Sequence, residues 1–110
     1  MRQRRIEAEL QRALSELISR EVNDPRVGNV TITSVSVSPD MKAARIYYVP
    51  FASQNSKEKV QEGLKHAGGF LRAAVAKRLG LRYTPRLEFV FDESIDRAAR
   101  LTDLIDKANQ

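Results

Sequence analysis

The fold of this chain is decided by residues 57–86, KEKVQEGLKHAGGFLRAAVAKRLGLRYTPR. Their apolar positions recur at steps of three, four and seven, which puts them on one face of a helix. These positions are Val60, Leu64, Ala67, Leu71, Ala74, Val75 and Leu79. Two adjacent glycines interrupt the run, and each costs about 1 kcal/mol relative to alanine in a helix interior. The pattern therefore predicts two half-helices joined by a kink at Ala67-Gly68-Gly69 and ended by Gly80.

The same segment carries the positive charge of the chain. It holds eight lysines and arginines against two glutamates, whereas the whole chain has a formal net charge of +5. Such a surface indicates a polyanionic partner, nucleic acid before a membrane. The start of the second half-helix would also offer N–H groups to a phosphate. The residues expected to contact RNA are Lys65, Gly68, Gly69, Arg72, Lys77, Arg78, Arg82 and Arg86.

Two other readings of these residues stay open. In the first, the charged side chains only solvate an exposed helix face. In the second, the glycines let two helices pack at an angle, with or without RNA contact.

Length and composition limit the class of protein. A chain of 110 residues with 42% hydrophobic and 30% charged residues is typical of one globular domain. It has no apolar run of about 18 residues, so no membrane span or membrane partner is expected. The basic N-terminus lacks the apolar stretch of a secretory signal. The absence of cysteine fits a cytoplasmic protein, and we expect a monomer.

The N-terminal half predicts one helix and a β-hairpin. Residues 3–22 have an apolar stripe at helical spacing, which Asn23-Asp24-Pro25 ends. Residues 30–38 are rich in β-branched residues, but their alternation slips in the middle, which indicates a bulge. A turn at 39–42 leads to a second strand over 43–49.

The C-terminal part predicts a third strand and an acidic end. Asn55 or Ser56 is placed to cap the helix that follows. Leu87, Phe89 and Phe91 alternate with polar or smaller residues, as in a strand with one apolar face. We expect residues 1–92 to form a KH-like RNA-binding domain, and residues 93–110 a short acidic C-terminal helix or tail.

The element order α-β-β-α-kink-α-β predicts an α+β domain with a three-stranded sheet and helices on one face. This order resembles a KH domain, a known RNA-binding fold. The GxxG loop of ordinary KH domains is missing, because no two of the five glycines are three residues apart.

No residues suggest catalysis, a metal or a cofactor. His66 is the only histidine and has no cysteine beside it. Asp92, Glu93 and Asp96 are expected to be a solvated tail. Tyr47, Tyr48, Tyr83 and Phe70 can stack on bases, although core packing is favoured for Phe70 and at least one strand tyrosine.

Several motifs in order resemble the ribosome-binding factor A family over nearly the whole chain. They are Asp24-Pro25-Arg26-Val27, Val35-x-Val37-Ser38-x-Asp40, Ala44-x-Ile46-Tyr47, Ala67-x-Gly69-Phe70-Leu71-Arg72 and Leu81-Arg82-x-x-Pro85-x-Leu87-x-Phe89-x-x-Asp92. The resemblance implies a type II KH fold in which an Ala-x-Gly kink replaces GxxG. The tail after Asp92 is shorter than in longer members of the family.

The resemblance also implies a function. Members of this family are non-enzymatic assembly factors that bind the free 30S subunit, with 16S rRNA and its precursor as partners. They assist late maturation and 5′-end processing of 16S rRNA, take part in cold adaptation and leave before translation. The alternative is a KH-like protein-interaction module with an incidental basic face. An RNA-modifying enzyme is disfavoured because no catalytic constellation is present.

Overall fold

Two helices and three strands make up the described part of the chain, which in this computed structural model comprises residues 2–50 and 56–94. In chain order they are α1 (Arg2–Arg20), β1 (Val30–Val37), β2 (Ala43–Pro50), α2 (Lys57–Leu79) and β3 (Arg86–Phe91). The predicted hairpin and final strand are present, and the basic segment between them is helical. The expected α+β, KH-like fold is confirmed.

The sheet has the order β1-β2-β3, with β2 in the centre. β1 and β2 are antiparallel, whereas β3 runs parallel to β2, so that α2 crosses over between them. The predicted bulge is confirmed, because the register of β1 shifts between Ile32 and Ser34. The extra residue, Thr33, lets Ile32, Val35 and Val37 all reach the buried face.

One face of the sheet carries the core. α1 packs on β1, α2 packs on β3, and the two helices contact each other. Tyr48 of β2 is fully buried, and its hydroxyl donates a hydrogen bond to Gln61 Oε1 of α2. Gln61 Nε2 in turn donates to the Phe89 carbonyl oxygen at 2.8 Å. Burial raises the pKa of Tyr48, so the phenol stays protonated. Through Gln61, these two hydrogen bonds join α2 to β2 and β3.

α2 is one unbroken helix through Gly68 and Gly69, so the prediction of two half-helices is wrong. Leu71 and Val75 beyond the glycines are fully buried, in helical register with Val60 and Leu64 before them. Burying each side chain of this size contributes about 1.5–3 kcal/mol. The two glycines together cost only about 2 kcal/mol, so a continuous helix is favoured. No free N–H groups of a second helix start arise at this point.

Both ends of α2 have the predicted type of cap. The Ser56 hydroxyl accepts a hydrogen bond from the Lys59 N–H at 3.3 Å. Gly80 lies at φ 63°, a left-handed conformation that glycine adopts without a side-chain clash. The alternative cap, Asn55, and the C-terminal segment from residue 95 onward lie outside the described residues. Neither α1 nor α2 is apolar enough to cross a membrane.

Candidate nucleic-acid interface

A groove of about 1140 Å³ lies beside the second half of α2. Its walls come from α2, from the β1–β2 turn, from the segment after α2 and from the start of α1. The lining residues are Ile6, Asp40, Met41, Lys42, Gly69, Arg72, Ala73, Ala76, Arg82, Tyr83 and Thr84. Three of the four charged side chains in this set are basic, and we call it the basic groove.

The helix period determines which part of α2 forms the groove wall. Gly69, Arg72, Ala73 and Ala76 are three or four residues apart and share one face. At the end of α2, the N–H groups of Gly80 and Leu81 both donate to the Ala76 carbonyl oxygen. This cap reverses the chain, and the segment 82–84 therefore returns to the groove.

Arg72 is held in place by the segment that follows α2. Its Nη2 donates a hydrogen bond to the Thr84 carbonyl oxygen at 2.8 Å. A guanidinium has five N–H donors, so this contact orients Arg72 while leaving donors for an anion. An arginine oriented in this way is suited to bidentate contact with a phosphate.

The β1–β2 turn adds a lysine that was not predicted as a site residue. Asp40 Oδ1 accepts hydrogen bonds from Ser38 Oγ at 2.6 Å and from the Lys42 N–H at 3.0 Å. The Ser38 hydrogen bond, followed by that of Lys42, lowers the pKa of Asp40. The Lys42 carbonyl oxygen accepts from the Arg86 N–H at 2.8 Å, which fastens the turn to β3. Lys42 thus faces the groove from a fixed turn, which sequence spacing could not reveal.

Tyr83 is the exposed aromatic side chain of the groove, with 79% of its surface accessible. The Arg82 guanidinium carbon lies 5.7 Å from the centre of its ring, within the range of a cation–π contact. An aromatic ring beside basic groups can stack on an unpaired base while the cations contact the phosphates.

The structure brings together three of the eight residues predicted to contact RNA, namely Gly69, Arg72 and Arg82. Lys77 and Gly68 do not line the groove, and Lys65 lines a separate shallow hollow near the start of α2. The remaining two predicted residues, Arg78 and Arg86, are ion-paired. Counting basic residues along the segment could not predict these different surroundings.

Arg78 pairs with Glu16 of α1, and this contact lowers the pKa of Glu16. Arg86 pairs with Glu88 at 2.8 Å. Both pairs are partly exposed, so each contributes little to stability. Carboxylate partners nevertheless reduce the charge that these two arginines present to a polyanion.

The glycines of α2 differ in their surroundings. A Cβ added at Gly68 or Gly69 would meet no atom within 4 Å outside its own helix neighbourhood. Among the described residues, no second helix packs on this pair, which removes the helix-packing alternative. Gly63 is the tightly packed glycine, since its Cβ would lie 2.8 Å from Val27 Cγ2.

Two predictions about single residues are wrong. Phe70 is 49% exposed rather than buried, because it lies on the helix face next to that of Leu71, beyond the edge of the core. Asp92 is not a solvated tail residue, since it accepts a hydrogen bond from Thr33 Oγ1 at 2.5 Å. Its own N–H donates to the Tyr48 carbonyl oxygen at 2.8 Å. The prediction that one strand tyrosine belongs to the core is confirmed by Tyr48.

The groove presents groups that can bind anions and aromatic rings. Within residues 2–50 and 56–94, no three histidine or acidic side chains are placed to hold a metal ion. The arrangement supplies cations, open backbone at Gly69 and an aromatic surface, which suit a phosphate backbone with unpaired bases.

Comparison with known proteins adds independent information. The family model for ribosome-binding factor A matches residues 2–105. A ribosome-binding factor A from Nitrosomonas europaea is 45% identical over 104 residues, which cover 94% of this chain and 89% of the relative.

Two sets of coordinates for the Thermus thermophilus protein have the same fold. The crystal structure of its ribosome-binding factor A is 35% identical, with a TM-score of 0.71 over 80% of this chain and 93% of that one. The second set is a homology model of that factor fitted into a cryo-EM map of a 30S–RbfA complex. It is 35% identical, with a TM-score of 0.69 over 81% of this chain and 93% of that one.

Proposed function

Because this chain belongs to the ribosome-binding factor A family, we propose that it binds the free 30S ribosomal subunit through 16S rRNA and its precursor. Binding assists late maturation and 5′-end processing of 16S rRNA, without catalysis by the chain itself. The protein acts as a cytoplasmic monomer, leaves before translation and supports ribosome assembly in the cold. The fitted 30S complex of the Thermus thermophilus relative supports the choice of partner.

The observation that carries this proposal is the basic groove. Lys42, Arg72 and Arg82 come from three separate segments and converge on one concave surface. Contacts to phosphates release counterions, so they supply affinity that falls steeply with salt. Open backbone at Gly69 lets a sugar–phosphate chain approach α2 closely. Of the eight predicted RNA-contacting residues, Gly69, Arg72 and Arg82 are the ones we propose as direct contacts.

Binding of this kind can promote maturation without any reaction at the site. A factor that binds one rRNA conformer more tightly than another shifts the equilibrium by that difference in affinity. The groove would therefore hold the precursor in the conformer that processing enzymes accept.

The experiment that tests the proposal is sedimentation with purified 30S subunits and with 70S ribosomes at several salt concentrations. The double variant Arg72→Glu with Arg82→Glu should lose binding to 30S subunits. The charge-matched control, Arg12→Glu with Arg20→Glu, changes exposed residues of α1 outside the groove and should retain it. Equal loss in both pairs would contradict a specific role of the groove.

Salt dependence on protein-free 16S rRNA gives a second, quantitative measurement. Replacing Arg72 and Arg82 by glutamine should reduce the slope of log affinity against log salt by about two, because each phosphate contact contributes about one. An unchanged slope would show that neither arginine contacts a phosphate.

A further inference from the structure

A hollow of about 510 Å³ lies between α2 and the loop that follows α1, on a different face of α2 from the basic groove. Its apolar surface comes from Val22, Pro25, Ala67 and Phe70, and we call it the Phe70 hollow. Phe70 is 49% exposed there, and only Tyr83 is a comparably exposed large hydrophobic side chain in the described part of the chain. An exposed aromatic ring over an apolar floor is typical of a docking surface.

The wall of this hollow is built in advance. Asp24 Oδ1 accepts hydrogen bonds from the Arg26 N–H at 2.9 Å and from Arg26 Nε at 3.0 Å. The Val27 N–H donates to the Asp24 carbonyl oxygen at 3.0 Å. Close contact between Val27 and Gly63 presses this loop on α2. A partner therefore meets a fixed surface and does not have to order the loop.

The charge of the hollow is opposite to that of the groove. Its lining carboxylates are Glu21 and Asp24, beside His66, and no lysine or arginine of the described residues lines it. Asp24 is ion-paired with Arg26 at 2.7 Å, so Glu21 contributes most of the negative charge that a partner meets. The hydrogen bonds from Arg26 lower the pKa of Asp24 to about 2, so this carboxylate is ionised at neutral pH. Carboxylates repel an RNA backbone and attract lysine and arginine side chains.

We propose that the Phe70 hollow docks a lysine- or arginine-rich segment of a small-subunit protein, with an apolar side chain of that segment against Phe70. Charge complementarity favours this occupant, since proteins that bind rRNA need basic surfaces to contact its phosphates. The proposal rests on 30S binding as the proposed function but uses a different face of the molecule. The protein would then contact rRNA through one face of α2 and a protein through another.

The first test separates the two faces by comparing two targets, purified 30S subunits and protein-free 16S rRNA. Phe70→Ala should weaken binding to 30S subunits about tenfold or more, as expected for an aromatic anchor. It should leave the affinity for protein-free 16S rRNA nearly unchanged. Tyr83→Ala is the matched control, because it removes the exposed aromatic side chain of the groove and should weaken binding to both targets.

A charge reversal tests the chemistry of the occupant by the sign of its effect. Glu21→Lys should weaken binding to 30S subunits if the occupant is basic, and strengthen it if the occupant is RNA. Glu58→Lys makes the same charge change at an exposed position outside the hollow and should not weaken binding. The melting temperature of each variant verifies that the fold is retained.

Cross-linking identifies the class of occupant directly. A benzoylphenylalanine at position 70, irradiated on purified 30S subunits, should form its main product with a ribosomal protein. A main product with rRNA, or equal loss of both affinities in Phe70→Ala, would overturn the proposal. Unchanged 30S binding in Phe70→Ala would overturn it as well. Absence of 30S binding by the unaltered protein would overturn both this proposal and the proposed function, so the two failures are distinguishable.

Discussion

At the scale of single residues, position in space rather than residue type separates the basic side chains. Arg72 is oriented by a backbone carbonyl oxygen and lines the groove, whereas Arg78 is paired with Glu16. Both are arginines of the same helix, six residues apart. Only the partner of each guanidinium distinguishes a candidate RNA contact from a surface ion pair.

Tyr83 gives the clearest prediction for a single side chain. Tyr83→Ala should lower the affinity for 16S rRNA by about 1–3 kcal/mol, the range found for base–aromatic stacks by alanine substitution. Its high exposure means that the melting temperature should hardly change. Tyr83→Phe retains the ring and should bind normally in the same titration. Equal loss in Tyr83→Phe would indicate a hydroxyl contact instead of stacking.

Asp24 gives a prediction of pH dependence. Hydrogen bonds from Arg26 lower its pKa from 3.8 to about 2 in the folded state. A lowered pKa stabilises the fold above the unfolded-state pKa, and this contribution is lost as the pH falls from about 4 toward 2. Asp24→Asn should therefore be less stable than the unaltered protein in urea unfolding at pH 7.

The difference between the two proteins should shrink as the pH is lowered through that window. A difference that stays constant from pH 7 to pH 3 would contradict the ion pair between Asp24 and Arg26.

At the scale of elements, α2 combines a core face with two surfaces of opposite charge. Leu64, Leu71 and Val75 are fully buried on one side. Arg72 lines the basic groove, and Phe70 lines the Phe70 hollow. Consecutive residues of a helix point in directions about 100° apart, which is why Phe70 and Arg72, on either side of a core residue, reach different surfaces.

The glycines of α2 give a prediction that reverses the one made from sequence. If the kink predicted at Ala67-Gly68-Gly69 were present, alanine at position 69 would straighten or strain it. In the structure, both added Cβ atoms enter open space within a continuous helix. Gly68→Ala and Gly69→Ala should each raise the free energy of unfolding by about 1 kcal/mol or slightly less.

Binding should nevertheless distinguish the two substitutions. Gly69 lines the groove and Gly68 does not, so only Gly69→Ala should weaken rRNA binding. Gly63→Ala is the destabilising control, because its Cβ would collide with Val27. Loss of stability in Gly68→Ala or Gly69→Ala, measured by thermal unfolding, would contradict an unstrained helix.

At the scale of the whole molecule, charge is distributed by surface and not uniformly. The net charge of +5 is the sum over surfaces that differ in charge. They include the basic groove and the Phe70 hollow, which is lined by the carboxylates of Glu21 and Asp24. Such a distribution fits a target made of both RNA and basic protein.

Deletion of residues 95–110 tests whether the C-terminal segment belongs to the binding surface. The deletion removes three acidic and three basic residues, so the net charge does not change. We expect a modest loss of stability, because apolar residues such as Leu101 and Leu104 are removed, and unchanged affinity for 16S rRNA. A large loss of affinity with the melting curve intact would contradict this expectation and make the segment part of the interface.

Within the described residues, the sequence by itself determined the order and type of the elements, except that it divided α2 into two half-helices. Periodicity of 3.6 and 2 located both helices and all three strands, and the slip in β1 predicted its bulge. These features depend on local order along the chain, because alternation and helical spacing decide which side chains face the core. The motifs also identified the family, because together they match it at many positions in the same order along the chain.

Only the tertiary structure decided which of these residues form a site. Lys42 joins Arg72 because Arg86 fastens the β1–β2 turn to β3, a contact between residues 44 positions apart. Leu71 is buried in the core, whereas the helix faces that carry Phe70 and Gly69 lie outside it. Phe70 is therefore exposed, and no side chain covers Gly69. Sequence spacing fixes the direction of a side chain on its own element, but its neighbours from other elements depend on packing. The groove, the ion pairs and the Phe70 hollow all consist of such neighbours.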